Sequence, residues 1–358
     1  MKIRRLPSMA IVAAIPIALL AGFAWAGGWI GPARLSGGGI ADALEWNAGK
    51  HPGYRRAHAK GLCFTGHFDA NGAGTALSKA SALAAGSYPV IGRFSTGGGK
   101  PFATDGRSVF HAMALLIRTP DGGEWRTAMD HTPIFPVATP AAFVELQGAS
   151  RPDPATGKPD PAAMQAYLAR HPETRVYQDY IKSAPLPDSF ANGTYYSINA
   201  FRFINRKGEA SIVRWAMRPA TPLSALDKAE LDTLPTDFLF NDILARLGRG
   251  PVRWRLAITL AEPGDVTDNA TIRWPSSRRT VTVGTLVVDR AGPEERGACR
   301  DINFDPTILP AGIALSDDPL LAARSAAYSA SFRRRAMEGP RPSAIGKAAS
   351  QQALAKGE

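Results

Sequence analysis

The sequence predicts an α+β fold in a single domain, with a mainly antiparallel sheet or barrel and flanking helices. Three observations carry this. Several short runs rich in aliphatic and aromatic residues, most of them bounded by Gly, Pro, Asn or Asp, read as strands. Polar turns rather than regular helices separate most of these runs, which is the signature of antiparallel pairing. No GxGxxG follows a strand and opens a helix, so a dinucleotide-binding parallel sheet is excluded.

The N-terminus is read first. Met1-Lys2-Ile3-Arg4-Arg5 is basic, residues 9–24 are wholly apolar, and Ala24-Trp25-Ala26 offers a small-x-small cleavage pattern. Residues 1–26 are therefore expected to be a signal peptide or, uncleaved, an N-terminal membrane anchor. Either way the body is expected to be exported, periplasmic or held on the periplasmic face of the inner membrane. Residues 27–41, containing Gly37-Gly38-Gly39, are expected to form a Gly-rich connector to one even body over 42–339. Residues 340–358 lack large aromatics and are expected to be a frayed tail.

Within the body, residues 60–70, 89–96, 112–119, 196–205, 209–217, 252–260 and 280–288 are the expected strands. Residues 196–205 and 209–217, joined through Arg206-Lys207-Gly208, read as a hairpin. Helices are expected over 162–169, 171–182, 223–231, 237–248 and 318–337. The last has Asp317-Asp318 as its cap and Pro319 at its first position. On it Arg324 and Tyr328 lie four apart, and Arg335 seven further on, so one face offers a phenol flanked by guanidiniums. On spacing alone this describes an exposed basic helix with an ordinary half-buried tyrosine.

Composition bounds the function classes. The 358 residues are 45% hydrophobic and 20% charged, which excludes disorder as the main state. Lys plus Arg number 42 against 31 Asp plus Glu, a net charge of +11 compatible with nucleic acid, an anionic surface or a buried anionic ligand. No nucleic-acid motif accompanies that charge, and an export signal argues against such a partner. Two cysteines exclude a disulfide scaffold; Cys63 and Cys299 are read as free buried thiols, with pairing in an oxidising compartment left open. HExxH, paired CxxC, P-loop and GxSxG motifs are absent.

The candidate chemistry lies elsewhere. Arg55-Arg56-Ala57-His58-Ala59-Lys60-Gly61 leads into the first strand. Arg93 and Ser95 alternate along another strand and share a face, Asp130-His131 follows later, and Arg324 and Tyr328 close the set. Singly, His58 reads as a structural histidine and Ser95 as a satisfied strand hydroxyl.

Together these segments resemble the haem catalase superfamily, specifically its short branch of catalase-related peroxidases. The resemblance runs over about residues 42–335, through HPGYRRAHAKG (51–61), PVIGRFST (89–96), WRTAMDHTPIFPVATPAAF (125–143), INFDPTILPAGI (302–313) and RSAAY (324–328). It implies a catalase-like β-barrel and haem b as cofactor. His58 falls at the family's distal histidine and Ser95 at the serine that holds its ring. Tyr328 falls at the proximal iron ligand, a tyrosinate, and Arg324 at the cation beside it. Arg55, Arg93 and Arg335 match residues that bind the haem propionates, and Phe143 an aromatic ring stacked on the haem. Two departures stand out: Asp130 replaces the family's distal asparagine, and Phe110-His111 stands where an arginine is usual. The implied activity is reduction of organic hydroperoxides and hydrogen peroxide through a ferryl intermediate, with small organic electron donors and at most weak catalase activity. A non-enzymatic haem-binding protein on the same barrel is the alternative that Asp130 keeps open. A homodimer and a membrane tether through the N-terminal segment are also left open.

Overall fold

The structure, a computed structural model, describes residues 6–26, 35–108 and 110–346. It divides into two units, Met1–Ser36 and Gly37–Glu358. The first contributes helix α1 (Leu6–Ala26), which contains Pro16. Side-chain environments in α1 are described only for residues 14–25, and among the described residues no helix is long and apolar enough to cross a membrane. The expectations for residues 1–5, 27–34 and 347–358 lie outside the described residues.

The second unit is built on a closed antiparallel barrel. Its strands are β1 (Gly61–Ala70), β2 (Gly86–Thr96), β3 (His111–Arg118), β4 (Glu124–Asp130), β5 (Tyr195–Tyr196), β6 (Phe201–Ile204), β7 (Ala210–Pro219), β8 (Val252–Leu260), β9 (Thr280–Pro293) and β10 (Ile313–Leu315). The order β7-β5-β4-β3-β2-β1-β9-β8 closes through β7–β8 pairing, so eight strands ring the core; β6 continues beyond β5 along β7 and carries β10. Closure joins these eight into a ring, with β4 and β5 meeting only at Asp130 and Tyr196. Register shifts at Thr65/Gly66 and Leu256/Ala257 place bulges where the wall must bend.

Alternation along the strands sends large side chains inward. Phe94 lies between Phe64 and Phe190, with ring centroids at 4.4 and 5.2 Å, and Trp125 meets Trp215 edge-on at 5.2 Å. All seven expected strands are present. Residues 196–205 are broken at 197–200, because Ser197 and Asn199 bond locally and Ile198 turns into left-handed conformation (φ 64°). The expected hairpin forms, with Ile204 opposite Ala210. Strands β4 and β10 were not among the expectations.

The helices are α2 (Gly37–Ala48), α3 (Pro140–Ala149), α4 (Pro161–Arg170), α5 (Pro172–Ser183), α6 (Phe238–Leu247) and α7 (Pro319–Glu338); α6 buries Leu239, Phe240, Ile243 and Leu244 in the core, and α2 and α3 pack against α7. Three expectations are corrected. Gly37–Ile40 open α2 instead of forming a connector, and their glycines serve a helix crossing: a Cβ on Gly37 would stand 2.2 Å from the Ala326 carbonyl oxygen of α7. Residues 223–231 form no α-helix, only the first residue of a 3-10 turn at Leu231–Thr233, because Ser224 and Leu226 bond to Asp188 and Leu186, and Asp227 closes a turn on Ala229. The start of the tail is docked: Ala344 and Ile345 are buried, Tyr54 donates to the Pro342 carbonyl at 3.0 Å, and the Gly346 amide donates to Asp237 at 2.6 Å.

The two cysteines also differ from expectation. Cys63 on β1 and Cys299 form a disulfide across 236 residues. The turn after β9 lies against β1, and this brings the two sulfurs together.

Candidate active site

Strand register builds one wall of the site. Ser95 on β2 stands opposite Ala112 on β3, and Ala112 opposite Asp130 on β4. Directly opposed residues of an antiparallel sheet share a face, so these three form a row on the outer face of the barrel. One step along, Arg93 stands opposite Ala114, and Ala114 opposite Ala128. The intervening residues, Phe94 among them, pack into the barrel core. A polar and alanine-lined face is thus held rigidly on the back of an aromatic core.

Helix α7 supplies the facing wall. It starts on the Asp318 cap, whose Oδ1 accepts the Leu320 amide at 3.0 Å. Asp318 Oδ2 accepts from Asn199 Nδ2 at 2.8 Å, and the Asn199 side-chain oxygen accepts from Arg324. Arg324 also donates to the Ala128 carbonyl on β4 at 3.0 Å, tying helix to sheet. Its guanidinium carbon is 5.9 Å from the Tyr328 ring centroid. Burial opposes the charge on Arg324, but Tyr328, Asp130 and Asp318 outweigh it and raise its pKa above the ordinary guanidinium value.

A cavity of about 380 Å³ separates the two walls. It is lined by Arg55, His58, Arg93, Ser95, Asp130, Phe143, Arg324, Tyr328 and Arg335, whereas His111 and His131 are not among its lining residues. His58 approaches from the loop before β1, in left-handed conformation (φ 54°), with its ring packed near Phe110. Its Nδ1 lies 3.4 Å from Ser95 Oγ. Burial, with the charges of Arg93 and Arg324, pushes the imidazole down to about 3, so it is neutral at physiological pH. Asp130 moves the opposite way: burial raises it to about 7, against the pull of Arg324. Phe143 stacks beside Phe135 at 6.0 Å and the two rings form a flat apolar flank.

At the other end three guanidiniums converge. Arg93 donates to Glu294 from Nε and Nη2 at 2.7 and 2.8 Å. Arg55 donates to the carbonyls of Cys299 and Ile302, and Arg335 to that of Arg300. Arg55 Nε is buried without a hydrogen-bond partner. Burial first, then repulsion from Arg93 and Arg335, lowers Arg55 to about 9. A buried cation cluster with an orphaned donor is a seat for anions.

With that geometry in place, comparison with known proteins is decisive. The sequence model of the family described as Catalase matches residues 31–347. The chain belongs to the catalase family. It is 38% identical over 296 residues to a catalase-related peroxidase of Synechococcus elongatus, covering 83% of this chain and 87% of that one. It is 32% identical over 295 residues to a catalase-related peroxidase of Mycolicibacterium paratuberculosis, covering 82% and 93%. A crystal structure of a fungal catalase superposes with a TM-score of 0.71 at 20% identity, over 80% of this chain and 60% of that one. A bacterial catalase gives 0.70, over 82% and 60%. This catalase-family chain therefore spans about 60% of the length of those solved catalases.

Several lining or supporting residues escaped the sequence. Phe332 lies four residues after Tyr328, and helical spacing alone would have found it. Phe135 and Tyr177 line the cavity from segments without periodic signal. Asn199 acts through a strand break, and Glu294 through a turn; neither leaves a pattern in the sequence.

Proposed function

We propose that this protein is a haem b peroxidase that reduces hydrogen peroxide and organic hydroperoxides at the expense of small organic donors, with little catalase activity. The observation that carries the reading is the opposition, across one cavity, of a neutral His58 beside Ser95 and a Tyr328–Arg324 pair on α7. The residues fit the cofactor: a phenol oxygen on one wall, flat apolar flanks at Phe135 and Phe143, and guanidiniums at one end, one of which keeps a buried N–H that makes no hydrogen bond. Tyr328 would ligate the iron, and Arg55, Arg93 and Arg335 would hold the propionates. When bound, haem would supply a redox-active iron able to exchange electrons with peroxide and with the donors.

The chain's own residues manage protons and position. His58, kept neutral by burial, takes the proton from the near peroxide oxygen at its free ring nitrogen and returns it to the far oxygen, so water or an alcohol departs. Ser95 holds the other ring nitrogen and with it the ring's orientation. Asp130 in its protonated form donates to the peroxide; ionised, it only accepts and repels negative charge. Arg324 holds positive charge beside the Tyr328 ring.

Export to the periplasm, or anchoring on the periplasmic face of the inner membrane, belongs to the same reading. The basic-apolar N-terminus and a disulfide suited to an oxidising compartment support it. Purified protein expressed with sufficient haem is expected to show a Soret band that changes on adding a hydroperoxide and returns on adding a phenolic donor. A protein without a Soret band refutes haem binding; a Soret band indifferent to peroxide refutes the peroxidase and leaves a haem carrier.

A further inference from the structure

A charge count at the propionate end leaves a surplus. Arg55, Arg93 and Arg335 bring three positive charges, and two propionates bring two negative ones. A third anion is already built in. Glu294 receives Arg93 through two hydrogen bonds of 2.7 and 2.8 Å, and its Oε1 lies 3.6 Å from Arg55 Nε. Its side chain is only 17% exposed. We propose that Glu294 is the resident third anion of the propionate cradle, a positioning residue that fixes Arg93 and Arg55 and balances the charge two propionates leave over. This inference rests on the haem reading above.

The local fold is organised around this role. Glu294 is the first residue after β9 and opens a turn in which the Gly297 amide bonds the Glu294 carbonyl and the Arg300 amide bonds the Gly297 carbonyl. Gly297 must be glycine, because a Cβ would stand 2.4 Å from Cys63 Sγ. The Cys63–Cys299 disulfide pins the same turn to β1. All three guanidiniums attach to this segment: Arg93 and Arg55 at Glu294, Arg55 again at the Cys299 and Ile302 carbonyls, and Arg335 at the Arg300 carbonyl. Burial alone would favour a neutral Glu294, but Arg93, Arg55 and Arg335 together hold it down at about 2, so it is a carboxylate at any working pH. Even so Arg335 and Arg55 remain lowered, by burial first and with repulsion from Arg93 contributing to both.

The self-repulsion of a charge cluster grows roughly with the square of its net charge, and that separates this role from an ordinary ion pair. The unloaded cradle carries +2 with Glu294 and +3 without it; the loaded cradle carries 0 and +1. Removing the charge is therefore about five times more costly without haem than with it. The test is thermal melting of full-length wild type, Glu294→Gln and Glu294→Asp, each with and without saturating haem. For Glu294→Gln the expected fall is about 5–10 °C unloaded and less than half of that loaded. Glu294→Asp, which keeps the charge, recovers most of the loss.

Equal falls in both forms make Glu294 a plain structural pair and overturn the proposal. So does an Asp variant as unstable as the Gln variant, or a Gln variant that fails to fold even with haem present. A Gln variant that folds only when haem is supplied is the limiting form of the expected result. Wild-type protein that takes up no haem overturns the haem reading and this inference together, and its own spectrum distinguishes that case.

Discussion

Replacing Asp130 with asparagine tests the departure that the sequence resemblance implies at this position. Asp130 closes the row Ser95–Ala112–Asp130 and is 8% exposed, with the Arg324 guanidinium as its principal counter-charge. Burial favours the neutral acid and places its ionisation at about 7 instead of 3.8. The protonated share then falls from ~90% at pH 6 to ~10% at pH 8 and ~1% at pH 9. If only the protonated acid assists peroxide, its rate constant drops about tenfold from pH 6 to 8 and about ninefold more by pH 9. His58 titrates far below this window, at about 3, and contributes no break of its own there. A side-chain amide donates at every pH, so the Asp130→Asn variant is expected to stay flat within about twofold over pH 6–9. Stopped-flow mixing with peroxide, followed at the Soret band from pH 5 to 9, measures both profiles. A wild-type profile flat between pH 6 and 8, or an asparagine variant that keeps the break, refutes the argument.

Other perturbations have equally definite outcomes. His58→Ala is expected to slow the reaction with peroxide by ~10²–10⁴-fold while the Soret band persists; an undiminished rate removes His58 from the chemistry. Tyr328→Phe deletes the candidate iron ligand, so the Soret maximum shifts and haem passes to excess apomyoglobin faster than from wild type. The protein has 2 cysteines, so the unreduced, denatured chain should titrate no free thiol, and Cys63→Ser/Cys299→Ser should lose about 2–5 kcal/mol of stability by denaturant unfolding. Gly37→Val places a side chain against the Ala326 carbonyl and is expected to cost about 1–3 kcal/mol by the same measurement.

Periodicity and residue type made much of this protein legible in its sequence. Strand alternation placed Arg93 and Ser95 on one face, and helical spacing placed Arg324, Tyr328 and Arg335 on another, because both patterns are set by local backbone geometry. Family motifs then tied these two faces to His58, Asp130, Arg55 and Phe143, and the structure brings all of them to one cavity. The errors share a cause. Gly37-Gly38-Gly39 resembles a linker until α7 lies across it, where the missing side chains are what let the backbones approach. Cys63 and Cys299 look like isolated thiols until the turn after β9 meets β1. Ala344 and Ile345 carry too little apolar surface to announce a docked segment, yet they bury against the body.

The sequence by itself determined the barrel class, the two reactive faces and a +11 charge compatible with an external or a buried anionic partner. Tertiary structure decided where that charge acts. Arg93 and Arg55 turn inward onto Glu294, Arg335 onto the Arg300 carbonyl of the same turn, and Arg324 onto Tyr328 and Asn199, because strand register and a disulfide-pinned turn converge there. It also decided the protonation states: the same His and Asp side chains would titrate near their ordinary values in an unfolded chain. Burial between a barrel wall and α7 drives His58 down to about 3 and Asp130 up to about 7. Local sequence specifies which groups can carry a proton. The dielectric and the neighbouring charges, which exist only once distant segments meet, specify whether they do.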